Sequence, residues 1–476
     1  MNKKYKAIIK KIVPVHRHEW AKFLCVAGLI LLIAYIHNIL HLSKDALVIS
    51  HLGTESISAI KMWAVLPMSL LFMFVYIKLS DTFTRSQLFH IMNWFFISYF
   101  VFFALVLYPY REALCIPISE EVVLKLPALK YLFKIISNWS YCLFYVFSES
   151  WVTIMLLISF WQIANHVTML EESKRFYPLF AIAAGIGRMM SGVLSKVFIV
   201  EGTNWQPTLN NVVISVVVAG MFLSLCLIML GKVIGIDVFN KKKSHFKAKI
   251  KVSFKEGLKY IVSSRPILLI TSLLLCFNIS LNIVEGVWKK SVEVFCAGSA
   301  NEIHHFISSV DIGVSVLSII GALVSIYILR TFKWLTSALI TPVIVFIVGV
   351  MFFLFMLLRD ASYMLALQTS AIAIAVYLGA IHNIFTRSTK NVLFDPTKEM
   401  VYIPLDDDLQ TKGKAAAETI GMRFGKGGGA FIQQVLLGIF PAMTLLDLSP
   451  ILFGIFLLVL FWWFYSIVVL NRHLRG

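Results

Sequence analysis

The chain has 476 residues, 59% of them hydrophobic and only 14% charged, with a formal net charge of +18. Water-soluble domains sit nearer roughly 45–50% apolar and about 25% charged, so a soluble globular fold is excluded. The six cysteines are scattered with no C-x-x-C pair, which argues against a disulfide framework or a Cys/His metal site. The basic residues form no aromatic-interleaved face of the kind that binds nucleic acid.

The N-terminus, "MNKKYKAIIKKIVPVHRHEW", is basic but has neither an apolar core nor a small-residue cleavage site. It is not a secretory signal peptide, and the first apolar span is expected to act as an uncleaved signal. Windows of about 20 apolar residues, the length of a bilayer crossing, predict twelve helices. They fall near 20–40, 60–78, 88–108, 139–162, 176–200, 211–231, 266–288, 306–329, 334–358, 361–385, 418–443 and 448–471. The fold class is therefore an all-α polytopic membrane protein of two six-helix halves.

Twelve spans put both termini on one side. Of the 43 Lys and Arg residues, 28 lie in the termini and even-numbered loops and 8 in the odd-numbered loops. That bias assigns both termini to the cytoplasm. The segment 232–265 carries ten basic residues, divides six spans from six, and is expected to meet anionic lipid. The expected organisation is a basic N-terminus (1–19), a first half (20–231), this linker, a second half (266–471) and a short tail (472–476).

The halves show faint internal symmetry. Asn38 in "HNILHLSKD" and Asn282 in "LNIVEGVWKK" occupy matching places, and "YIKLSDTFTR" matches "YILRTFK". A duplicated fold of this kind holds its site between the halves at mid-membrane.

Ionisable residues inside spans cost roughly 2.5–3.5 kcal/mol each on insertion scales and face a bundle interior or cavity. Here they are Lys44 just past span 1, Lys61 opening span 2, Glu149 in span 4, Arg188 and Lys196 in span 5, Glu285 in span 7, Asp311 in span 8, and Arg423 with Lys426 in span 11. Lys61, Lys78 and Lys196 are expected to snorkel to an interface. Glu149 and Arg188 lie too deep for that and are expected to pair or to meet a ligand. Cations outnumber carboxylates in the set, which suits a polyanionic ligand. The carboxylates then either pair the lysines when the ligand leaves or load a proton.

"RFGKGGGAFIQQ" lacks the spacing and the Ser/Thr of a P-loop and follows no strand. Its glycines make either an anion nest beside Lys426 on a broken helix or a close helix–helix contact. The acidic run Asp406 to Asp408 is either a gate partner or a solvated turn. His304–His305 is the one adjacent His pair and has no carboxylate at a recognisable spacing, so no enzymatic constellation is read. No cofactor or metal is called for.

Nine segments are similar to the nucleotide transporter family typified by the ATP/ADP antiporters of plastids, rickettsiae and chlamydiae. They are "KDALVI", "YVFSESW", "FWQIANHVT", "ESKRFYPLF", "NIVEGVWKK", "WLTSALITPV", "FDPTKEMVYIPLD", "KGKAA" and "RFGKGGGAFIQQ", in order from about residue 16 to residue 440. The resemblance implies a major-facilitator-like fold, a bacterial inner membrane, and exchange or import of ribonucleoside di- and triphosphates by alternating access. It implies that Lys44, Glu149 and Glu285 are functional charges, with Lys426 as the fourth and Lys412 or Lys414 as alternatives.

Two departures stand out. The family's "LRDTKDTL" reads "LHLSKDAL" here, placing His41 and Leu42, and its "GANI"-like segment reads "AAGI", placing Gly185. Arg188, three residues on, shares Gly185's helix face and is expected to replace phosphate-binding charge lost at His41. Asn282 is expected to hydrogen-bond the ligand or a neighbouring helix. The expected partners are ATP, ADP or another nucleotide and the bilayer, with a monomer as the working form. Proton-coupled net import of GTP, UTP or CTP, or transport of another organic anion such as NAD, is the alternative.

Overall fold

In hydrocarbon no water is present to pair with backbone N–H and C=O groups, so each apolar run must satisfy them within itself and folds as a helix. The computed structural model describes residues 15–202, 204–235, 254–358, 368–406 and 409–473, and within these it is helical with no strand. The first six long helices are α1 (Trp20–Leu52), α2 (Glu55–Thr82), α3 (Arg85–Leu107), α4 (Trp139–Val167), α5 (Leu170–Phe198) and α6 (Gln206–Ile234). The last six are α7 (Arg265–Phe295), α8 (Ala300–Thr331), α9 (Trp334–Leu358), α10 (Gln368–Thr389), α11 (Lys414–Ile439) and α12 (Ser449–His473).

Ten of these are long and apolar enough to cross a membrane. The other two, α10 and α11, occupy the places expected of spans ten and eleven, and the apolar stretch of α11 is the shorter Gly427–Ile439. Several helices outrun their predicted ends. α1 continues to Leu52 rather than residue 40, α7 to Phe295 rather than 288, and α10 to Thr389 and onward through a π-helical turn at Lys390–Phe394. Further π-helical stretches interrupt α2 at Lys61–Val65 and α4 at Val152–Phe160. Such turns often sit beside functional residues.

Helix association in a bilayer relies on close packing, because lipid is as apolar as the helices. α1 packs on α5 and α6, and α7 on α11 and α12. Small residues set the approach. A Cβ on Gly187 of α5 would sit 2.2 Å from the Leu31 carbonyl oxygen of α1. A Cβ on Gly425 or Gly429 of α11 would meet Asn278 or Asn282 of α7 at 2.7 and 2.5 Å. α11 runs unbroken through "GKGGG", so its interior N–H groups are spent in the helix. The glycines serve close packing, and the broken-helix anion nest is not formed.

The halves meet along α5 and α8. Ser195 and Ser308 hydroxyls are 2.8 Å apart, and Thr208 donates to Asn301 at 2.9 Å. At the end opposite α1's start, a polar clasp joins α2 to α7 and α11. Thr54 donates through its N–H and hydroxyl to Glu293 at 2.8 and 2.7 Å, Lys290 lies 3.3 Å from Glu55, and Gln434 donates to Ser58 at 2.6 Å. Lys134, on the short helix Lys130–Ser137 that covers this end, also faces Glu55 and Glu293. Burial pulls its ammonium below the usual lysine range. Toward α1's start, Tyr76 is the one buried residue of Leu66–Thr82 in α2, and Ser325 the one in 316–331 of α8. The molecule is thus clasped at the far end.

Candidate functional site

Because α1 and α7 run past their apolar cores, their polar ends project charges into the middle of the molecule. Lys44 and Asp45 of α1 are buried, at 1% and 0% exposure. Isolated buried charges cost several kcal/mol each even after relaxation, so the site must supply partners, and it does so in a chain. Lys44 lies 3.0 Å from both Glu149 of α4 and Asp45. Asp45 accepts from Lys289 of α7 at 2.8 Å, and Lys289 reaches Glu285, one turn back, at 2.7 Å. Glu285 accepts from Arg387 of α10 at 3.0 Å, and Arg387 spans to Asp311 of α8 at 3.0 Å. The Tyr145 ring sits 3.8 Å below the Lys44 ammonium, a cation–π contact strengthened by desolvation.

The chain follows the internal symmetry. The 244-residue offset between Asn38 and Asn282 also separates Asp45 from Lys289, and His41 from Glu285. Equivalent positions of two related halves touch only at the two-fold axis. The Asp45–Lys289 pair therefore marks that axis, and it ties the halves together. On either side an ion pair links two helices of one half, with signs reversed: cation on α1 and anion on α4, anion on α7 and cation on α10. A π-helical turn begins three residues after Glu149 and three after Arg387.

Beside Lys289 a small cavity of about 20 Å³ is lined by Thr54, Ser58, Lys61, Asn282, Glu285 and Gln433, among others. A water needs roughly 10–15 Å³ and a ligand pocket roughly 300–1,000 Å³. The cations of the network are taken up by carboxylates, and the Glu149 and Arg387 side chains keep 28% and 22% exposure.

A family model for the TLC ATP/ADP transporter matches residues 1–474. The chain belongs to this family of nucleotide transporters. It is 34% identical to "ADP,ATP carrier protein 3" of Rickettsia bellii over 489 residues, covering 98% of this chain and 97% of the relative. It is 35% identical to "ADP,ATP carrier protein 1" of Rickettsia prowazekii over 485 residues, covering 98% and 96%. These relatives are carriers, and this TLC-family chain is a multi-pass membrane transporter rather than an enzyme. Among solved structures it resembles a bacterial metal transporter (TM-score 0.59, 12% identity, 96% and 99% covered). It likewise resembles a D-xylose–proton symporter (TM-score 0.55, 13% identity, 94% and 97% covered). At such identities the likeness shows the fold alone, which is major-facilitator-like.

In this TLC-family transporter the structure gathers three of the six expected site residues, Lys44, Glu149 and Glu285, into one network. Asn282 lines the cavity, with its amide donating to the Asn278 carbonyl at 2.8 Å. Arg188 stands apart on α5. Its Nε is buried without a hydrogen bond, and its charged neighbour is Asp311. The side chains of Lys412, Arg423 and Lys426 lie outside the described residues. Lys414 pairs with Glu399 at the start of α11. Asp406 accepts from the Leu409 N–H at 2.8 Å in an exposed turn, and Asp407 and Asp408 lie outside the described residues.

One expectation is corrected. Lys61 does not snorkel: its ammonium points inward and donates to Asn282 Oδ1 at 3.5 Å. Of the expected excess of cations, the side chains of Arg423 and Lys426 lie outside the described residues. In the described ion-pair chain and its cavity, Lys44, Lys61, Lys289 and Arg387 face Asp45, Glu149, Glu285 and Asp311, with Arg188 a further cation near Asp311. The reading by apolar windows missed Asp45, Lys289 and Arg387, because it placed them in loops. A usable signal was present: Glu285 and Lys289 stand at i, i+4, the spacing of a helical ion pair.

Proposed function

We propose that this chain carries ribonucleoside di- and triphosphates across a bacterial inner membrane by alternating access, with both termini cytoplasmic. The observation that carries the reading is the largely buried chain of mutually paired charges where the two halves meet. Phosphate oxygens compete with the carboxylates for Lys44, Lys289 and Arg387, and bidentate guanidinium–phosphate pairing favours Arg387 as an anchor. Glu149, Asp45, Glu285 and Asp311 are the counter-ions that take the cations back on release. Asn282 offers a polar contact at the cavity wall. Arg188 and Lys426 are assigned to the same anionic ligand from the neighbouring helices α5 and α11. The names of the rickettsial relatives make ATP/ADP-type exchange the first mode.

One observation favours a second mode. The described charge chain already carries its own counter-ions, so a triphosphate adds negative charge that entering protons can offset, and Asp311 Oδ2 is buried with no hydrogen bond among the described residues. Proton-coupled net import meets that demand. Intact Escherichia coli cells expressing the chain test both. Uptake of labelled ATP followed by efflux on addition of unlabelled nucleotide supports exchange, and uptake abolished by a protonophore supports coupling. Absence of uptake for every nucleotide tried refutes the proposal.

A further inference from the structure

Three of the four central cations each hold two acidic partners: Lys44 has Asp45 and Glu149, Lys289 has Asp45 and Glu285, and Arg387 has Glu285 and Asp311. Lys61 differs. Among the described residues its one hydrogen bond is the 3.5 Å contact with the neutral amide of Asn282, and no carboxylate of these residues lies within 4.0 Å of its ammonium. Glu285 lines the same cavity without touching the ammonium. An ammonium taken out of water with no carboxylate in direct contact is costly, and solvated interfaces offer a lysine stem an easy escape. Lys61 does not take that route.

Its position explains what it is kept for. Lys61 opens the π-helical turn Lys61–Val65 of α2, where the extra residue per turn rotates the helix and aims the stem inward. It lines the same cavity as Lys289, Asn282 and Gln433 of the other half. It thus reaches from the first half toward the second, at a point where both halves can touch one ligand group.

We infer that Lys61 is a substrate-binding residue, whose ammonium takes a phosphoryl oxygen of the nucleotide seated between it and Lys289. The inference rests on the proposed nucleotide transport. The other cations must first be released by their carboxylates, whereas Lys61 exchanges only a long bond to an amide. Its contact therefore adds to affinity without a matching cost. A compact ammonium with three rotatable donors serves phosphates of varied orientation.

The test has two arms. In cells expressing Lys61→Gln, KM for ATP uptake is expected to rise roughly 10- to 100-fold, the range for one charged hydrogen bond, while the maximal rate changes little. Lys61→Arg is expected to restore most of the affinity. In the second arm, purified wild-type protein is acetylated with a lysine-directed reagent with and without ATP, and the peptides are read by mass spectrometry. ATP is expected to protect Lys61 several-fold. An unchanged KM in Lys61→Gln, a loss of maximal rate at constant KM in both variants, or equal acetylation with and without ATP overturns the inference. The acetylation arm stands even if the Gln variant fails to accumulate. Wild-type cells that take up no nucleotide refute nucleotide transport itself. Uptake by the wild type without Lys61 protection refutes only the role of this lysine.

Discussion

Replacing Lys289 with Gln removes the ammonium that holds the two halves together at their symmetry axis. Asp45 then loses its 2.8 Å partner and keeps Lys44 at 3.0 Å, and Glu285 loses its 2.7 Å partner and keeps Arg387 at 3.0 Å. Four carboxylates and two cations remain on the chain from Glu149 to Asp311. Breaking a buried pair by deleting one partner costs about 3–5 kcal/mol, since the other charge is left uncompensated. Asp45→Asn in the same protein brings the chain to three carboxylates against two cations, which restores the wild-type excess of one. It leaves Lys44 paired with Glu149 in one half and Arg387 held between Glu285 and Asp311 in the other. Lys289→Gln is therefore expected to lower the thermal midpoint of the detergent-solubilised protein by several degrees, and Asp45→Asn/Lys289→Gln to recover most of the loss. A double-mutant cycle isolates the coupling. A double variant no more stable than Lys289→Gln, or a single variant as stable as the wild type, would refute the axial role of this pair.

Two further outcomes are expected. Lys290→Gln unlinks Glu55 from Glu293 in the far-end clasp, and a partly buried pair of this kind contributes about 1 kcal/mol. Ile57→Cys, placed in the cavity wall beneath the clasp, should then react faster with an impermeant thiol reagent added at the far side; an unaltered rate contradicts the clasp. Gly187→Val forces α1 and α5 apart at the Leu31 carbonyl, an overpacking cost of roughly 1–3 kcal/mol or more, whereas Gly185→Ala has open space around its new methyl. A midpoint lowered by the first and not by the second supports the packing described, and equal effects argue against it.

Much of this molecule was legible in the chain because apolar runs of bilayer length admit little other than helices. The site was legible only in part, and the reason is physical. An interior that binds a polyanion is itself polar, so a hydropathy window ends α1 before Lys44, α7 before Lys289 and α10 before Arg387, although each helix continues. Asp45 sits next to Lys44 in "KDALVI" yet points to the opposite half, a fact set by the packing of α1 on α7 and not by its neighbours in sequence. Lys61 failed for a related reason. Near the start of a span, a lysine that snorkels and one that a π-helical turn aims inward have the same hydropathy. The glycines of "GKGGG" were ambiguous between nest and packing until the unbroken α11 decided it.

The account as a whole requires the halves to part at the far end, pivoting about the central charges, during every transport cycle. A Ser195→Cys/Ser308→Cys pair, in a protein whose six native cysteines are replaced, tests this directly because the two hydroxyls are 2.8 Å apart across the α5–α8 seam. Oxidation should link the helices and abolish ATP uptake, and reduction should restore it. Fully cross-linked protein that transports at the reduced rate would contradict the account.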